Sequence, residues 1–547
     1  MSRSVPDRHS QELEEVRIAM DKLRKLENEV RLGRLSRRSF LARASALGIV
    51  GAAGVPLISE RAMASSPSVG GRFRIGIGSG SSSDSMDPGT ITDTYMQVVN
   101  YGLRNNLTEV TPDGELIGEL AESFEASADA RSWTFRLRDG VEFHNGKTLD
   151  ANDVVETMNH HRGEDSESGA RQLFDDVEDI VVDDDRTVTF HLRAGNADFP
   201  FIMNDYRLTI CPVVDGALDL SGNGTGGYIL ESFRPGERTT MTRNPNYWKE
   251  NAAFFESVEV LVMRDSTSRT NALTTGDIDV MNRIAPSSVD LVGQRGGVRV
   301  EQTSGNQHYT FPMHVDREPF DDWHVRMAVK LAVDREQLLQ TVLSGHGYVG
   351  NDHPIGRANR FFHDGLPQRQ FDPDEARHHL REAGRENLQL TLKVSDAAFV
   401  GAVDAGQLMA QTMAEAGIDL NVERVPADGY WSNVWLEEPF VASYWGGRAT
   451  EDWMFTEGYA AGANWNDTNW ENERFNELLR EARAELDEDR RREMYHEMQE
   501  LVHDDGGSLI PIFANYIMGL SDEVQHGEMA NNWDLDGLKC LERWWFA

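Results

Sequence analysis

The chain has 547 residues, which is too long for one ordinary hydrophobic core, and with 39% hydrophobic residues it can fill more than one. Its 91 acidic and 54 basic residues give a formal net charge of −37, which argues against nucleic acid or anionic lipid as a partner, because both bind basic surfaces. Two cysteines, Cys211 and Cys540, form either one disulfide or two buried thiols, and no Cys/His cluster has zinc spacing.

The N-terminal region has the composition of an export signal. Basic residues come first, an apolar run follows from about Ala44 to Ile58, and the small residues Ala62 and Ala64 suit a signal peptidase. We therefore expect cleavage after Ala64. The apolar run is too short for a stable transmembrane helix.

The basic part of this region resembles the twin-arginine export motif. The matching residues are Ser36, Arg37, Arg38, Phe40 and Leu41. Residues 1–64 are thus interpreted as a twin-arginine signal peptide with a charged leader, which makes the twin-arginine export machinery an expected partner. No cysteine lies near the cleavage site for a lipid anchor, so we expect a soluble periplasmic protein.

The first half of the mature sequence shows strand patterns. Residues 71–77 predict an opening strand. In residues 131–146, Trp133, Phe135 and Leu137 alternate with polar residues before two glycine turns, and residues 186–192 repeat this alternation. These patterns predict a strand-rich region within the first half of the chain.

Helical patterns dominate the second half. Asp372 and Pro373 have the residue types of a helix N-cap and first turn, and Gly384 marks the end of that helix. Residues 472–505 predict two amphipathic helices. Strands and helices alternate along most of the chain, which indicates α/β lobes with a mixed sheet.

Four segments in order resemble the signatures of the family 5 solute-binding proteins of ABC importers, the dipeptide, oligopeptide and nickel group: residues 120–155, 224–248, 319–339 and 371–384. The resemblance implies a type II periplasmic-binding-protein fold, in which two lobes close on a ligand around a hinge and an extra strand-rich domain is attached. None of the segments carries chemistry, and we interpret the glycines of 224–228 as giving the backbone freedom between lobes. The implied division is lobe I (70–103, 223–309 and 506–547), the extra domain (104–222) and lobe II (310–505).

The loop at residues 445–453, WGGRATEDW, is the most informative part of the implied cleft. In peptide-binding relatives this loop carries an aspartate that pairs with the ligand's α-amino group, and here Arg448 stands in its place. An arginine repels a cation and offers a bidentate fork to a carboxylate or phosphate. We therefore predict an anionic group on the ligand. The alternative is that Arg448 pairs with Glu451 or Asp452 inside the loop.

The resemblance implies further ligand-binding residues. Trp445 and Trp453 flank the arginine and are expected either to stack on the ligand or to pack. The remaining candidates lie in the same loop or where relatives line the cleft and hinge: Gly447, Asp452, Tyr95, Asn306, His308, Tyr309 and Trp465.

The implied function is a receptor that delivers a small peptide or an anionic amino-acid-like solute to a membrane ABC permease. One alternative is a metal-chelate carrier of the nickel type, with His308 and His314 as possible ligands. An extracellular hydrolase is disfavoured because the sequence has no GxSxG, HExxH or CxxC motif. A sensor or chaperone on the same scaffold is also open. We expect no enzyme activity, no cofactor, no metal and a monomer.

Overall fold

The computed structural model describes residues 67–426, 430–448 and 450–547. The predicted export signal and cleavage site lie outside these residues. Within them, no helix combines the length and the hydrophobicity that a bilayer crossing requires.

The described chain alternates strands and helices. The strands are β1 (Arg72–Ile77), β2 (Thr108–Val110), β3 (Leu116–Gly118), β4 (Ala121–Ala126), β5 (Ser132–Leu137), β6 (Val177–Asp184), β7 (Thr187–Leu192), β8 (Val213–Val214), β9 (Ala217–Leu218), β10 (Tyr228–Arg234), β11 (Arg238–Arg243), β12 (Ser257–Val262), β13 (Val280–Met281), β14 (Val298–Pro312), β15 (Gly347–Val349), β16 (Leu388–Val394), β17 (Ile418–Arg424), β18 (Ser443–Trp445), β19 (Ser508–Ser521), β20 (Val524–Gln525) and β21 (Trp545–Phe546). The helices are α1 (Thr94–Leu103), α2 (Ala151–His161), α3 (Phe199–Ile202), α4 (Ser266–Thr275), α5 (Val289–Gly293), α6 (Trp323–Leu331), α7 (Arg335–Leu343), α8 (Pro373–Glu382), α9 (Ala402–Glu415), α10 (Tyr430–Asn433), α11 (Glu451–Gly458), α12 (Glu473–Ala484), α13 (Glu488–Asp505), α14 (Asp534–Gly537) and α15 (Cys540–Arg543).

A mixed nine-stranded sheet runs through the molecule in the order β10-β11-β12-β1-β13-β19-β14-β18, with β15 also pairing with β19. Strands β14 and β19 are its longest members and pair antiparallel along most of their length. At one end β19 pairs with β13 of lobe I, and at the other β14 pairs with β18 of lobe II. These two strands therefore connect the lobes, and the predicted two-lobed α/β fold is confirmed.

Separate hydrophobic cores lie on either side of this connection. The lobe I core contains Phe73 and Trp544, and the lobe II core contains Leu392 and Met409. The extra domain has its own core on the antiparallel sheet β4-β5-β7-β6, where Phe135 packs edge-on against Phe190. The predicted strands β5 and β7 are both in this sheet. Their apolar and polar residues alternate because successive side chains of a strand point to opposite faces, so the apolar ones share the face on the core.

The helix at 373–382 begins where its sequence predicts. The Asp372 side chain accepts a hydrogen bond from the backbone N–H of Glu375 (2.9 Å), and Pro373 is the first helical residue. Cys211 and Cys540 are both buried free thiols, so the disulfide alternative does not hold in this structure.

The glycines that begin the second signature segment have a different role from the one expected. Neither Gly224 nor Gly226 has a positive φ. A Cβ on Gly224 would lie 2.2 Å from the Leu103 carbonyl oxygen, and one on Gly226 would lie 2.4 Å from the Leu103 carbonyl carbon. These residues are glycine because the backbone at the end of α1 approaches them closely, and the interpretation as a flexible link is wrong.

Buried charges join the extra domain to lobe I. The Lys249 ammonium donates to Glu109 and Glu119 of the extra domain (both 2.6 Å) and to Glu542 of lobe I (2.9 Å). Lys539 of lobe I also donates to Glu119 (2.6 Å). The three glutamates are close enough together to hold a metal ion, but the lysine ammonium groups occupy the space between them.

A second buried charge cluster joins the extra domain to lobe II. The carboxylate of Asp198 accepts hydrogen bonds from Arg491 (2.6 Å) and Arg360 (3.2 Å). The side chains of Asp198 and Arg491 are each only 3% exposed. The neighbouring Ala197 N–H donates to the Arg483 carbonyl oxygen (2.6 Å), so the extra domain is in direct contact with lobe II.

Candidate functional site

The loop that carries Arg448 leads from β18 to α11. Strand β18 lies at the edge of the large sheet, where Trp445 is opposite His308 of β14. Helix α11 begins after Thr450, whose hydroxyl accepts a hydrogen bond from the Trp453 N–H (3.2 Å). This N-cap ends the loop and places Trp453 near Arg448.

The guanidinium of Arg448 lies between the two tryptophans. Its Cζ is 5.4 Å from the ring centroid of Trp445 and 5.7 Å from that of Trp453, within the range of cation–π attraction. Its Nε donates to Glu457 of α11 (2.5 Å), and its Nη1 makes long contacts of 3.3 Å with the carbonyl oxygens of Gly446 and Gly447. Its Nη2 has no hydrogen-bond partner among the described residues. Arg448 thus pairs with Glu457 and not with Glu451 or Asp452, the partners that the alternative interpretation predicted. Its Nη2 remains available to a ligand.

Trp445 and Trp465 belong to an aromatic cluster behind the loop. Trp445 is buried, and its indole N–H and that of Trp435 both donate to the Asp467 carboxylate (3.2 and 3.1 Å). Burial raises the pKa of Asp467 to about 6. Trp465 packs against Trp445 with ring centroids 6.1 Å apart and is 43% exposed. Trp445 therefore serves mainly to support Arg448 from behind.

Asn306 and Gly447 lie together at the junction of the lobes. The pairing of β14 with β19 shifts register between Ser304 and His308, and Asn306 lies in this irregular stretch. A Cβ on Gly447 would be 3.1 Å from the Asn306 Cβ and 3.5 Å from the backbone carbonyl oxygen of Asn532. The loop thus passes between Asn306 and Asn532, and only a glycine fits there without displacing a neighbour.

A small cavity between the extra domain, lobe II and lobe I adjoins this point. Its lining consists of Val110, Thr111, Gly114, Phe201, Asn306, Ala358, Arg360, Thr450, Glu451, Asn531 and Asn532. Of these residues, only Asn306 is among the predicted ligand-binding residues. Asn532 and the first residue of α11, Glu451, face the cavity from distant parts of the sequence, and no local pattern marks them.

The segment that carries Asn532 is held in an unusual conformation. Leu535, Asp536 and Leu538 have positive φ values of 55°, 62° and 67°. Asp536 fixes this turn, because its carboxylate accepts hydrogen bonds from the Ala530 N–H (2.7 Å) and the Trp544 indole N–H (2.9 Å). Left-handed non-glycine residues persist only where the surrounding structure holds them, and here they bring Asn532 to the cavity.

The structure does not bring the other predicted residues to this cavity. Tyr95 lies in the lobe I core, where its hydroxyl pairs with Thr239 (2.7 Å) and burial raises its pKa to about 12. Tyr309 stacks on Phe399 in lobe II with centroids 4.0 Å apart. Their expected role at the cleft was inferred from chain position alone, and their apolar rings are used for packing instead.

His308 and Asp452 are also directed elsewhere. His308 is fully buried beside Phe513, and burial lowers its pKa to about 4, so the ring is neutral near pH 7. Asp452 pairs with Arg483 (3.1 Å) rather than with the loop. Both residues are structural in this arrangement.

The arrangement is suited to binding. Three asparagine side chains, the Arg360 guanidinium and the Glu451 carboxyl group line a small cavity at the junction of the lobes, and Arg448 lies two residues before Thr450 of this lining. The described residues around it show no nucleophile paired with a base, and the acidic metal-spaced cluster found elsewhere is filled by lysines. The fold and the site together define a two-lobed solute-binding protein.

Comparisons with known proteins give the same class. Residues 115–467 match the model of bacterial extracellular solute-binding proteins, family 5 Middle, and the chain belongs to this family. The family consists of solute-binding proteins outside the cytoplasm rather than enzymes. The probable D,D-dipeptide-binding periplasmic protein DdpA of Escherichia coli K12 is 24% identical over 481 residues, which cover 82% of this chain and 90% of DdpA.

Solved structures agree in fold. The substrate-binding protein CtaP of Listeria monocytogenes superposes with a TM-score of 0.76 at 20% identity, over 87% of this chain and 99% of CtaP. AgaA of A. tumefaciens R10, solved in complex with agropinic acid, superposes with a TM-score of 0.70 at 20% identity, over 87% of this chain and 99% of AgaA.

Proposed function

We propose that this protein is the extracytoplasmic receptor of an ABC importer for a small solute with an anionic group, and that Arg448 binds that group. The solute is a small peptide or an anionic amino-acid-like molecule, held between the lobes and delivered unchanged to a membrane permease. The twin-arginine signal at residues 36–41 directs export, and the mature protein acts as a soluble monomer.

The observation that carries the proposal is the state of Arg448. Two tryptophans hold its guanidinium in place, Glu457 occupies Nε, and Nη2 has no partner among the described residues. A pre-positioned guanidinium loses little side-chain entropy when it binds a carboxylate or phosphate. The complex of AgaA with agropinic acid supports an organic acid as a ligand for this scaffold.

The test begins with mass spectrometry of the solute that remains bound through a native purification. Calorimetry then compares wild type with Arg448→Gln. A charge-assisted hydrogen bond contributes roughly 1.5–3 kcal/mol, so the variant should bind about 10- to 100-fold more weakly. Arg448→Asp should abolish binding.

Two further variants make the test specific. Glu457→Gln removes the internal counter-charge and should strengthen binding of the same solute. Arg474→Gln, on an exposed arginine of α12, should leave affinity unchanged. A solute without an anionic group, or equal affinity for wild type and Arg448→Gln, would refute the proposal.

A further inference from the structure

A second arginine, on lobe I, has no ion pair. Arg283 lies two residues after the end of β13 and is exposed. Its Nη2 donates to the hydroxyl of Thr94, the first residue of α1 (3.1 Å), and no carboxylate pairs with it among the described residues. Acidic residues outnumber basic ones in this chain by 91 to 54, so a guanidinium that pairs with none of them is a candidate to bind a ligand.

The backbone at Arg283 is held in a strained conformation. Its φ is 52°, in the left-handed region that a residue with a long side chain rarely adopts. The Ile284 N–H donates to the Ile517 carbonyl oxygen of β19 (3.0 Å), and the Asn282 side chain accepts from the Gly78 N–H (3.0 Å). Both neighbours of Arg283 are thus fixed. Strained residues that the surrounding structure holds in this way cluster at ligand sites.

The segments that carry Arg283 and Arg448 meet at the connecting strand β19. The sheet order β13-β19-β14-β18 puts β13 and β18 on opposite sides of the connecting pair, and Arg283 follows β13 while Arg448 follows β18. The first segment hydrogen-bonds to Ile517. The second reaches the adjacent Tyr516, because a Cβ on Gly447 would lie 3.6 Å from the Tyr516 hydroxyl oxygen. The two arginines therefore approach neighbouring residues of one strand from opposite sides.

Both guanidinium charges act on the hydroxyl of Tyr516. Burial and the charge of Asp534 raise the pKa of Tyr516, while Arg283 and Arg448 both lower it. This hydroxyl has no hydrogen-bond partner among the described residues. Asp534 does not neutralise Arg283, because its oxygens accept from the Asn282 amide (3.0 Å) and a backbone N–H (2.9 Å). Two cations and a phenol, all with available donors, are therefore neighbours.

We propose that the solute carries two anionic groups, and that Arg283 of lobe I binds the second group while Arg448 of lobe II binds the first. The inference rests on the proposed function, because it requires that Arg448 takes an anionic group. A guanidinium presents paired donors to a carboxylate, and two of them on different lobes favour a dianion over a monoanion. The substrate class is thus an acidic dipeptide or an amino-acid-like dicarboxylate, whose two charges would hold the lobes together.

The test uses pairs of solutes that differ by one carboxylate, and calorimetry on the purified protein. The pairs are alanyl-glutamate with alanyl-glutamine, alanyl-aspartate with alanyl-asparagine, and glutamate with glutamine. At least one acid member should bind, and its amide partner should bind at least about 10-fold more weakly. Absence of binding by every acid member would overturn the proposal, as would equal affinity within each pair.

Variants of Arg283 locate the effect. Arg283→Gln should weaken the acid member about 10-fold or more and leave the amide member unchanged, so that the two bind alike. The matched control is Arg295→Gln, because Arg295 is also an exposed arginine of lobe I but follows α5. It should keep the preference for the acid member. Thermal unfolding of each variant without solute verifies that it is folded. A preference that survives in Arg283→Gln would overturn the assignment.

The outcomes also separate this inference from the proposed function. If Arg448→Gln weakens the bound solute and Arg283→Gln does not, the proposed function stands and the second anion site is wrong. If acid members depend on Arg283 but not on Arg448, the site on lobe I stands and the role proposed for Arg448 is wrong.

Discussion

Replacing Asp198 should destabilise the contact between the extra domain and lobe II. Its carboxylate pairs with Arg491 (2.6 Å) and Arg360 (3.2 Å), and the Asp198 and Arg491 side chains are each 3% exposed. Although burial lowers it, the charge of Asp198 and its hydrogen bond keep the pKa of Arg491 above its usual value. Asp198→Ala would leave the buried Arg491 guanidinium without its ion-pair partner and Arg360 with only its longer contact to Glu488 (3.4 Å).

The size of the effect follows from the burial. Removing one partner of a buried ion pair typically costs about 3–5 kcal/mol. A chain of this length has an unfolding entropy of roughly 1 kcal/mol/K, from about 2 cal/mol/K per residue, so the melting temperature should fall by about 3–5 °C. Asp198→Asn keeps hydrogen-bond acceptance without the charge and should fall between wild type and Asp198→Ala.

Differential scanning calorimetry at neutral pH measures this change. Asp396→Ala is the control, because the ion pair between Asp396 and Arg424 is exposed and such pairs contribute about 0–1 kcal/mol. The double variant Asp198→Ala/Arg491→Met removes two of the three charges and should be more stable than Asp198→Ala. If Asp198→Ala melts within about 1 °C of wild type, the buried charge cluster does not stabilise the contact between the extra domain and lobe II.

Two predictions concern buried titrating groups. Burial raises the pKa of Asp467 to about 6 from 3.8, so its carboxylate destabilises the folded state above pH 6. Asp467→Asn keeps an acceptor for both indoles and should add about 2–3 kcal/mol to the free energy of unfolding at pH 7 and nothing near pH 3. Urea unfolding at both pH values measures this change, and a less stable variant at pH 7 would contradict the prediction. Burial lowers the pKa of His353 to about 3 from 6.5, so below pH 6.5 the unfolded chain binds a proton at this residue and the folded chain does not. The free energy of unfolding should therefore fall by about 1.4 kcal/mol per pH unit from this residue as the pH falls below 6.5. His353→Gln should lose that part of the pH dependence in urea titrations at pH 6.5, 5.5 and 4.5, and equal slopes for variant and wild type would refute the assignment.

Local signals in the sequence predicted the elements well. The alternation of Trp133, Phe135 and Leu137 gave strand β5 because side chains two residues apart share a face. Asp372 and Pro373 gave the start of α8 because a cap depends on adjacent residues only. The order of the four signature segments indicated the family, which the family comparison confirms.

The contacts of the candidate site were predicted less completely because they join residues that are distant in the sequence. Arg448 was located by its place in the loop, but its partner Glu457 was not, since the sequence does not show which face of α11 meets the loop. Asn532 reaches the cavity only through a left-handed turn, and no pattern links it to Asn306. Tyr95 was assigned by position alone and lies in a core.

The order in which lobe I is assembled follows from its sheet. Strand β1 begins the lobe early in the sequence, and its neighbour β13 pairs with β19, which comes far later. Lys539, which donates to Glu119, is also far later in the sequence than its partner. During synthesis, the early part of lobe I therefore cannot pair with β19 or bind Lys539 until these late segments have been made. The lobe II core also contains Leu509, Ile512 and Ala514 of β19, so both lobes are completed only after this late strand has been made.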